Sequence, residues 1–374
     1  MKFVIERELL QQTLVNVSRG LSDKKPLPVL TGIKIEANEN ELIFTTTNKE
    51  ISVQIKLKNN ENVFIEETGY CVVPGKYFVE ISKKIEGQMV EFTLFEESTI
   101  KIVSDKSDFT LIAYDKEFFP NVNFDAKNAP VTFTSKKLKQ IIRQTAFAAA
   151  SSESRIILTS VNFIISDDTL IITATDSFRL ARKEESIEPT GLKTIVNIPS
   201  KSLEELSKIL DESSDLVEMF LIDKTILFKY NNVSFLTRLV EGIYPDTSGL
   251  FPKEQLLSIK FKKNDLVSAI DRASLFTNTD NLSVVKITVS NSKTIEISSN
   301  STEIGKVVEE VEPLEISEKL AFQTAFSTKY FSDALKALDA SNITVNFTGE
   351  IKPAVIKGET DEQLVQLLLP VRVF

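Results

Sequence analysis

Apolar positions recur in the same order three times along the chain. Leu10, Leu14 and Val17 stand at i, i+4 and i+7, the spacing of one face of an amphipathic helix. Leu138, Ile142 and Thr145 repeat those positions 128 residues later, and Leu266, Ile270 and Ala273 repeat them after 128 more. A short β-type run precedes each helix: KFVI, VTFT and LSIKF. After each helix the period changes from 3.6 to 2, as in GIKIEANENELIFTTTN, SVNFIISDDTLIITATD and VVKITVSNSKTIEISSN. Alternating apolar residues around Asn38–Asn40, Asp167–Asp168 and Asn291–Ser292 predict three β-hairpins.

A second helix follows in each copy, in PGKYFVEISKKI, PSKSLEELSKIL and FSTKYFSDALKAL. Pro74 and Pro199 sit near the start of the first two, where a missing N–H costs nothing. Ser327 or Thr328 is the expected N-cap of the third. Each copy closes on further strands and a proline, and Pro120, Pro245 and Pro370 are 125 residues apart. The expected unit is strand–helix–hairpin–strands–helix–strands, repeated in tandem. The class is α+β, with two helices packed on antiparallel sheet in each copy. Periodicity lapses near 126–130 and 251–255, which sets expected domains at 1–127, 128–252 and 253–374.

Composition narrows the chemistry. Of 374 residues 42% are hydrophobic and 26% charged, so each of three domains has enough apolar material for its own core. There is no histidine, which removes Ser–His and Cys–His pairs and His-ligated metals. The one cysteine, Cys71, cannot form an intramolecular disulfide and reads as a small buried apolar residue. Neither a phosphate-binding glycine loop nor a hydrolase or metalloprotease motif occurs. Binding is therefore expected rather than catalysis, with no metal and no cofactor. Glu6, Arg7 and Glu8 stand where a signal peptide needs its apolar run, so a cytoplasmic protein without a membrane span is expected.

The charge is unevenly placed. Lys and Arg number 44 against 53 Asp and Glu, which argues against diffuse nucleic-acid binding over the whole surface. The six helical stretches (6–25, 76–86, 136–143, 201–212, 262–272 and 329–339) nevertheless hold 18 basic residues against 13 acidic ones. Lys136, Lys137, Lys139 and Arg143 have no acid among them. If the helices share one side, that side attracts phosphate without reading bases. The plain alternative for any one cluster is a solvated helix face. No aromatic residue interleaves these lysines, which disfavours single-strand recognition.

The repeats, the opening MKFVIERELL, the run Pro26-Leu27-Pro28-Val29-Leu30 and the motif Thr175-Asp176-Ser177-Phe178-Arg179-Leu180-Ala181 together resemble a known family. So do Leu239-Val240-Glu241-Gly242-Ile243-Tyr244-Pro245-Asp246 and the terminal Leu369-Pro370-Val371-Arg372. The family is the β subunit of bacterial DNA polymerase III, the sliding clamps, and the resemblance runs end to end. It implies a head-to-tail homodimer of six domains closed around duplex DNA, with helices lining the hole. It also implies a groove between the second and third domains for short apolar peptide motifs of the replicative polymerase, the clamp loader and repair proteins.

Carried over position by position, one part of that groove uses Leu158, Thr175, Ser177, Phe178, Arg179, Leu180, Pro245, Leu250 and the stretch Leu367, Leu368, Leu369, Pro370, Val371 and Arg372. The adjoining part uses Leu282, Ser327, Tyr330, Ile351 and Pro353. The ring interface pairs Phe109 with Leu275 and Phe276 of the other protomer. Lys24 matches a family DNA contact, whereas Lys136, Lys137, Lys139, Arg143 and Lys201 follow from the helix charge alone. Ser177-Phe178 stands where the family commonly has Gly-His, and Gly249 where an arginine is frequent, so motif preference is expected to differ. The competing reading is a protein-only interaction scaffold of clamp-like fold, with merely solvated basic helices.

Overall fold

The computed structural model describes residues 1–22, 27–96, 98–252, 254–275, 283–290, 294–301, 305–318 and 320–372. The expected helices are present: α1 (Arg7–Val17), α2 (Gly75–Lys84), α3 (Ser135–Thr145), α4 (Ser200–Ile209), α5 (Lys263–Ser274) and α6 (Thr328–Lys336). The first is shorter than the 6–25 stretch, because a 3₁₀ turn at Ser18–Gly20 ends it. Lys24 lies outside the described residues. Pro74 is the N-cap residue of α2, and Ser327, not Thr328, caps α6 by accepting the Tyr330 N–H.

Two compact units divide the chain: Met1–Lys139 with Glu205–Leu239, and Gln140–Glu204 with Val240–Phe374. The expected boundaries near 127 and 252 are not where this division falls. It falls within the central repeat because strands of neighbouring repeats join into continuous sheets.

In the first unit, one sheet runs Val63–Glu67, Lys2–Glu6, Met89–Phe95, Thr99–Ser104, Ser107–Ile112. The second, eight-stranded, takes four strands from the central repeat and four from the first. The join is Val233–Arg238 against Ile51–Lys58, with Phe235 opposite Val53. The helices α1 and α2 pack against each other, with Leu10, Leu14, Val17 and Phe78 buried. This is the hydrophobic face read from the sequence.

The second unit is built the same way. Its four-stranded sheet holds Gly305–Val311, Ile295–Ser301, Val284–Val289 and Phe322–Ser327. Its nine-stranded sheet joins Arg179–Ser186 of the central repeat to Leu364–Leu368 of the third. Every pairing among the described residues is antiparallel, and the register sets Arg179 opposite Leu368, Leu180 opposite Leu367 and Lys183 opposite Leu364. Leu266, Ile270, Phe331, Leu335 and Leu368 share one core beneath α5 and α6. Two of the three hairpin turns, after Ala37 and after Ser166, stand where the sequence puts them. The third, at Asn291–Ser292, lies outside the described residues.

Candidate partner-binding groove and basic helices

The second unit gathers most of the residues expected in the groove. Between Thr175 and Arg179 the chain makes a tight turn whose amides converge on one carboxylate. Asp176 accepts from the N–H of Phe178 and of Arg179, both at 2.9 Å, and from Arg179 Nε at 3.0 Å. Thr175 donates its hydroxyl to the Arg179 carbonyl at 2.6 Å, and its own N–H donates to the Tyr244 hydroxyl at 3.0 Å. Ser177 is forced to φ +78°, in the left-handed region that favours glycine. The turn holds Phe178 out, 60% exposed.

Arg179 is only 7% exposed. Its guanidinium donates to Asp333 of α6 at 2.7 Å and lies over the rings of Tyr330 (4.3 Å) and Phe147 (5.3 Å). A planar, delocalised cation fits such a stacked and paired position where a lysine does not. Burial, helped by the nearby Asp176 carboxylate, pushes the Tyr330 hydroxyl above its usual range. Burial does the same to Tyr244.

The C-terminal stretch runs beside this turn. Leu369 N–H donates to the Phe178 carbonyl at 2.9 Å, and Val371 N–H to the Ala325 carbonyl at 2.8 Å. Leu158, Leu180, Leu367 and Leu368 are buried, whereas Leu369 and Arg372 are exposed. Leu250 and Pro353 line one cleft of about 480 Å³ together with Pro252, Glu254, Gln255, Leu256, Thr348 and Lys352. Those last six carried no sequence signal, because loops 250–256 and 348–353 meet only in the fold. A side chain at Gly249 would meet nothing within 4 Å.

Some of the expected residues have other work or other places. The Ser327 hydroxyl is engaged as the α6 cap. Pro245 and Ile351 are exposed, and nothing in the described structure joins Ile351 to the Thr175–Arg179 turn. Leu282 and Phe276 lie outside the described residues. Sequence reasoning left out Asp176, Tyr244, Asp333 and Phe147; only the Asp-x-x-Arg spacing, typical of an Asx turn, signalled the first.

The basic helix residues are placed as follows. Lys136 and Lys201 are exposed on α3 and α4. Lys139 pairs with Glu212 at 3.4 Å, and Arg143 pairs with Asp339. On α5 and α6 the charges largely pair, with Lys336 on Asp271 and Arg272 on Glu309. The same holds elsewhere, since Lys83 at the end of α2 pairs with Glu80 at 2.8 Å, and α3 differs in carrying four basic residues and no acid of its own. Phe109 is half-buried on the edge strand Ser107–Ile112, and Leu275, just past α5, is 71% exposed. Burial pushes the Cys71 thiol up to about 12. Among the described residues no group of acidic or cysteine side chains is arranged to hold a metal, and no helix is long and apolar enough to cross a membrane.

Comparison with known proteins covers the whole chain. Family models of the DNA polymerase III beta subunit match residues 1–123 (N-terminal domain), 132–246 (central domain) and 248–372 (C-terminal domain). The chain is 39% identical over 378 residues to a beta sliding clamp of Staphylococcus epidermidis, and 38% identical to one of Staphylococcus aureus, with complete coverage of both chains. The crystal structure of the DNA polymerase sliding clamp from Bacillus subtilis superposes with a TM-score of 0.93 at 39% identity. That of the DNA polymerase III beta chain from Streptococcus pneumoniae superposes with 0.93 at 32%, each over 100% of both chains. Three tandem clamp domains, long sheets joined across repeats and end-to-end similarity lead to one conclusion: the chain belongs to the DNA polymerase III beta subunit family, the sliding clamps.

Proposed function

We propose that two copies of this chain close head-to-tail into a six-domain ring around duplex DNA and act there as a sliding clamp, a processivity factor without catalysis. The carrying observation is the end-to-end match to sliding clamps on a chain whose sheets run continuously across its repeats. A heterologous contact that closes yields a ring rather than a filament. The edge strand holding Phe109, and Leu275 beyond α5 with its sequence neighbour Phe276, are what we assign to that contact. Edge strands present unpaired backbone groups suited to such pairing. The domains are taken as 1–127, 128–252 and 253–374.

Lys24, Lys136, Lys137, Lys139 and Lys201 supply loose, screened attraction to phosphate, which holds DNA without fixing its register. The groove around the Thr175–Arg179 turn and the 367–372 stretch takes short apolar motifs from the replicative polymerase, the clamp loader and repair proteins. An apolar floor with a few fixed polar groups suits that ligand class. The protein works in the cytoplasm, where the replication machinery is.

Negative-stain imaging of the purified protein, with solution mass on the same sample, tests the ring. Closed rings at twice 41.9 kDa, about 84 kDa, support it. Compact monomers or open arcs at micromolar concentration refute stable closure.

A further inference from the structure

The C-terminal half of α3 presents Gln140, Arg143 and Gln144, neighbours on one helical face, to a single carboxylate. Gln140 Nε2 donates to Asp339 at 2.8 Å, Gln144 Nε2 donates to it at 3.1 Å, and the Arg143 guanidinium pairs with it. Arg143 also donates to the carbonyls of Lys336 and Ala337, both at 3.3 Å, at the end of α6. Carbonyls there have no intrahelical partner, and a cation complements the helix dipole. Lys263 fills the next one, Leu338, at 2.7 Å.

From Gln144 the network runs inward. Its amide also reaches Asp361 at 3.3 Å, and Asp361 accepts from Lys183 Nζ at 2.7 Å. Glu185 takes the same ammonium at 3.0 Å, and Gln366 donates to the Gln144 carbonyl at 3.1 Å. Lys183 and Gln366 are 1% exposed. The strand pair through Lys183 and Leu364 is the one that carries Arg179 and Leu368 at its other end. It is therefore tied to the α6 segment twice, through Arg179 to Asp333 on the helix and through Gln144 to Asp339 just past its end.

We infer that Arg143 and Asp339 are positioning residues of the partner groove: their pairing bolts α3 to the end of α6, holds the strand pair beneath the groove, and occupies Arg143 in that bolt rather than on DNA phosphate. The outer pair, Arg143 and Asp339, is 44% and 46% exposed, whereas Gln144, Lys183 and Gln366 at the inner end are buried, and there the loss of one partner leaves the others unpaired away from water. The Gln144 Oε1 atom is already buried without a partner.

The test uses the intact protein with Arg143→Gln, Asp339→Asn and the double variant. Hydrogen exchange is followed at residues 179–183 and 364–368, with 225–230 as the remote control. Affinity is measured for a fluorescent polymerase-derived peptide, and the salt dependence of binding for a 30-base-pair duplex. Each single variant should speed exchange at the two groove strands and leave the control unchanged. Each should weaken the peptide by about three- to tenfold, with the double variant no worse than the poorer single. The salt slope should stay at the parent value in Arg143→Gln.

Unchanged exchange at both groove strands, or a slope reduced by about 0.9 in Arg143→Gln, the mark of one lost phosphate contact, overturns the inference. Only the peptide measurement rests on the groove reading above. If the parent protein does not bind the peptide, that reading fails and the exchange data alone decide this one.

Discussion

The guanidinium of Arg179 donates to the carboxylate of Asp333 at 2.7 Å, joining positions 154 residues apart in sequence. One partner stands in a turn of the central repeat and the other on the last helix of the third. The same cation holds Asp176 in its own turn and is covered by Tyr330 and Phe147. A buried charge is tolerated only when it is paired and hydrogen-bonded throughout. This one residue therefore fixes the turn, the helix and the ring of Tyr330 together.

Replacing Arg179 with Ala leaves Asp176 and Asp333 without the cation they share. We expect a loss of about 2–4 kcal/mol, toward the lower side of a buried pair because Asp333 is partly solvated. Arg179→Lys keeps the charge but loses the fork and the stacking. Urea unfolding of both variants checks this, with Lys recovering less than half of the loss.

Ser177 is an L-residue at φ +78°. Glycine populates that region without the Cβ clash, so Ser177→Gly relaxes the turn at the cost of a more flexible unfolded chain. The expected net effect is a stabilisation of about 0.5 kcal/mol. A lower denaturation midpoint contradicts it.

Truncation after Leu369 removes the Val371 N–H to Ala325 carbonyl bond, the half-buried Pro370 and Val371, and the exposed Arg372. The core strand Leu364–Leu368 is untouched. The truncated protein should keep its circular dichroism spectrum and melting transition and lose binding of a polymerase-derived peptide. Full peptide affinity would remove this stretch from the groove.

Cys71 is buried, and desolvation pushes its thiol up to about 12. Only the thiolate is reactive. Ellman's reagent at pH 8 should therefore label the native protein negligibly and the urea-unfolded protein stoichiometrically. Rapid labelling of the native state would show that this strand opens.

Asp211 is held down to about 2, chiefly by hydrogen bonds from the Ser213 side chain and backbone, with Tyr230 and Ser135 adding to them. Its folded value lies below the ordinary 3.8, so its contribution is complete above about pH 4 and is lost as pH falls toward 2. Asp211→Ala should lower the melting temperature at pH 7 and narrow the gap to the parent between pH 4 and 2. A gap independent of pH would assign the effect to packing alone.

Much of the architecture was legible in the chain. Repeats spaced at 128 residues, helical faces such as Leu10-Leu14-Val17 and hairpin turns such as Asp167–Asp168 depend on neighbours a few residues apart, and local periodicity records them directly. The missing histidine removed whole classes of chemistry without any structure. The expectation that the Thr175–Arg179 turn and the 367–372 stretch share one groove came from motif resemblance, which orders residues but gives no geometry.

Tertiary structure decided the rest. Composition cannot say whether a cation is available, so Arg143 reads in sequence as one more base on an acid-free helix. The acid that engages it, Asp339, is 196 residues away. The fusion of strands Arg179–Ser186 and Leu364–Leu368 into one sheet likewise has no local signature. Backbone groups at a strand edge are satisfied by whichever strand the fold brings alongside. Sequence by itself determined the repeated unit, its apolar faces and the chemistry it lacks. Pairing across the repeats, and with it which charges are spent inside the protein, was settled only when distant segments met in three dimensions.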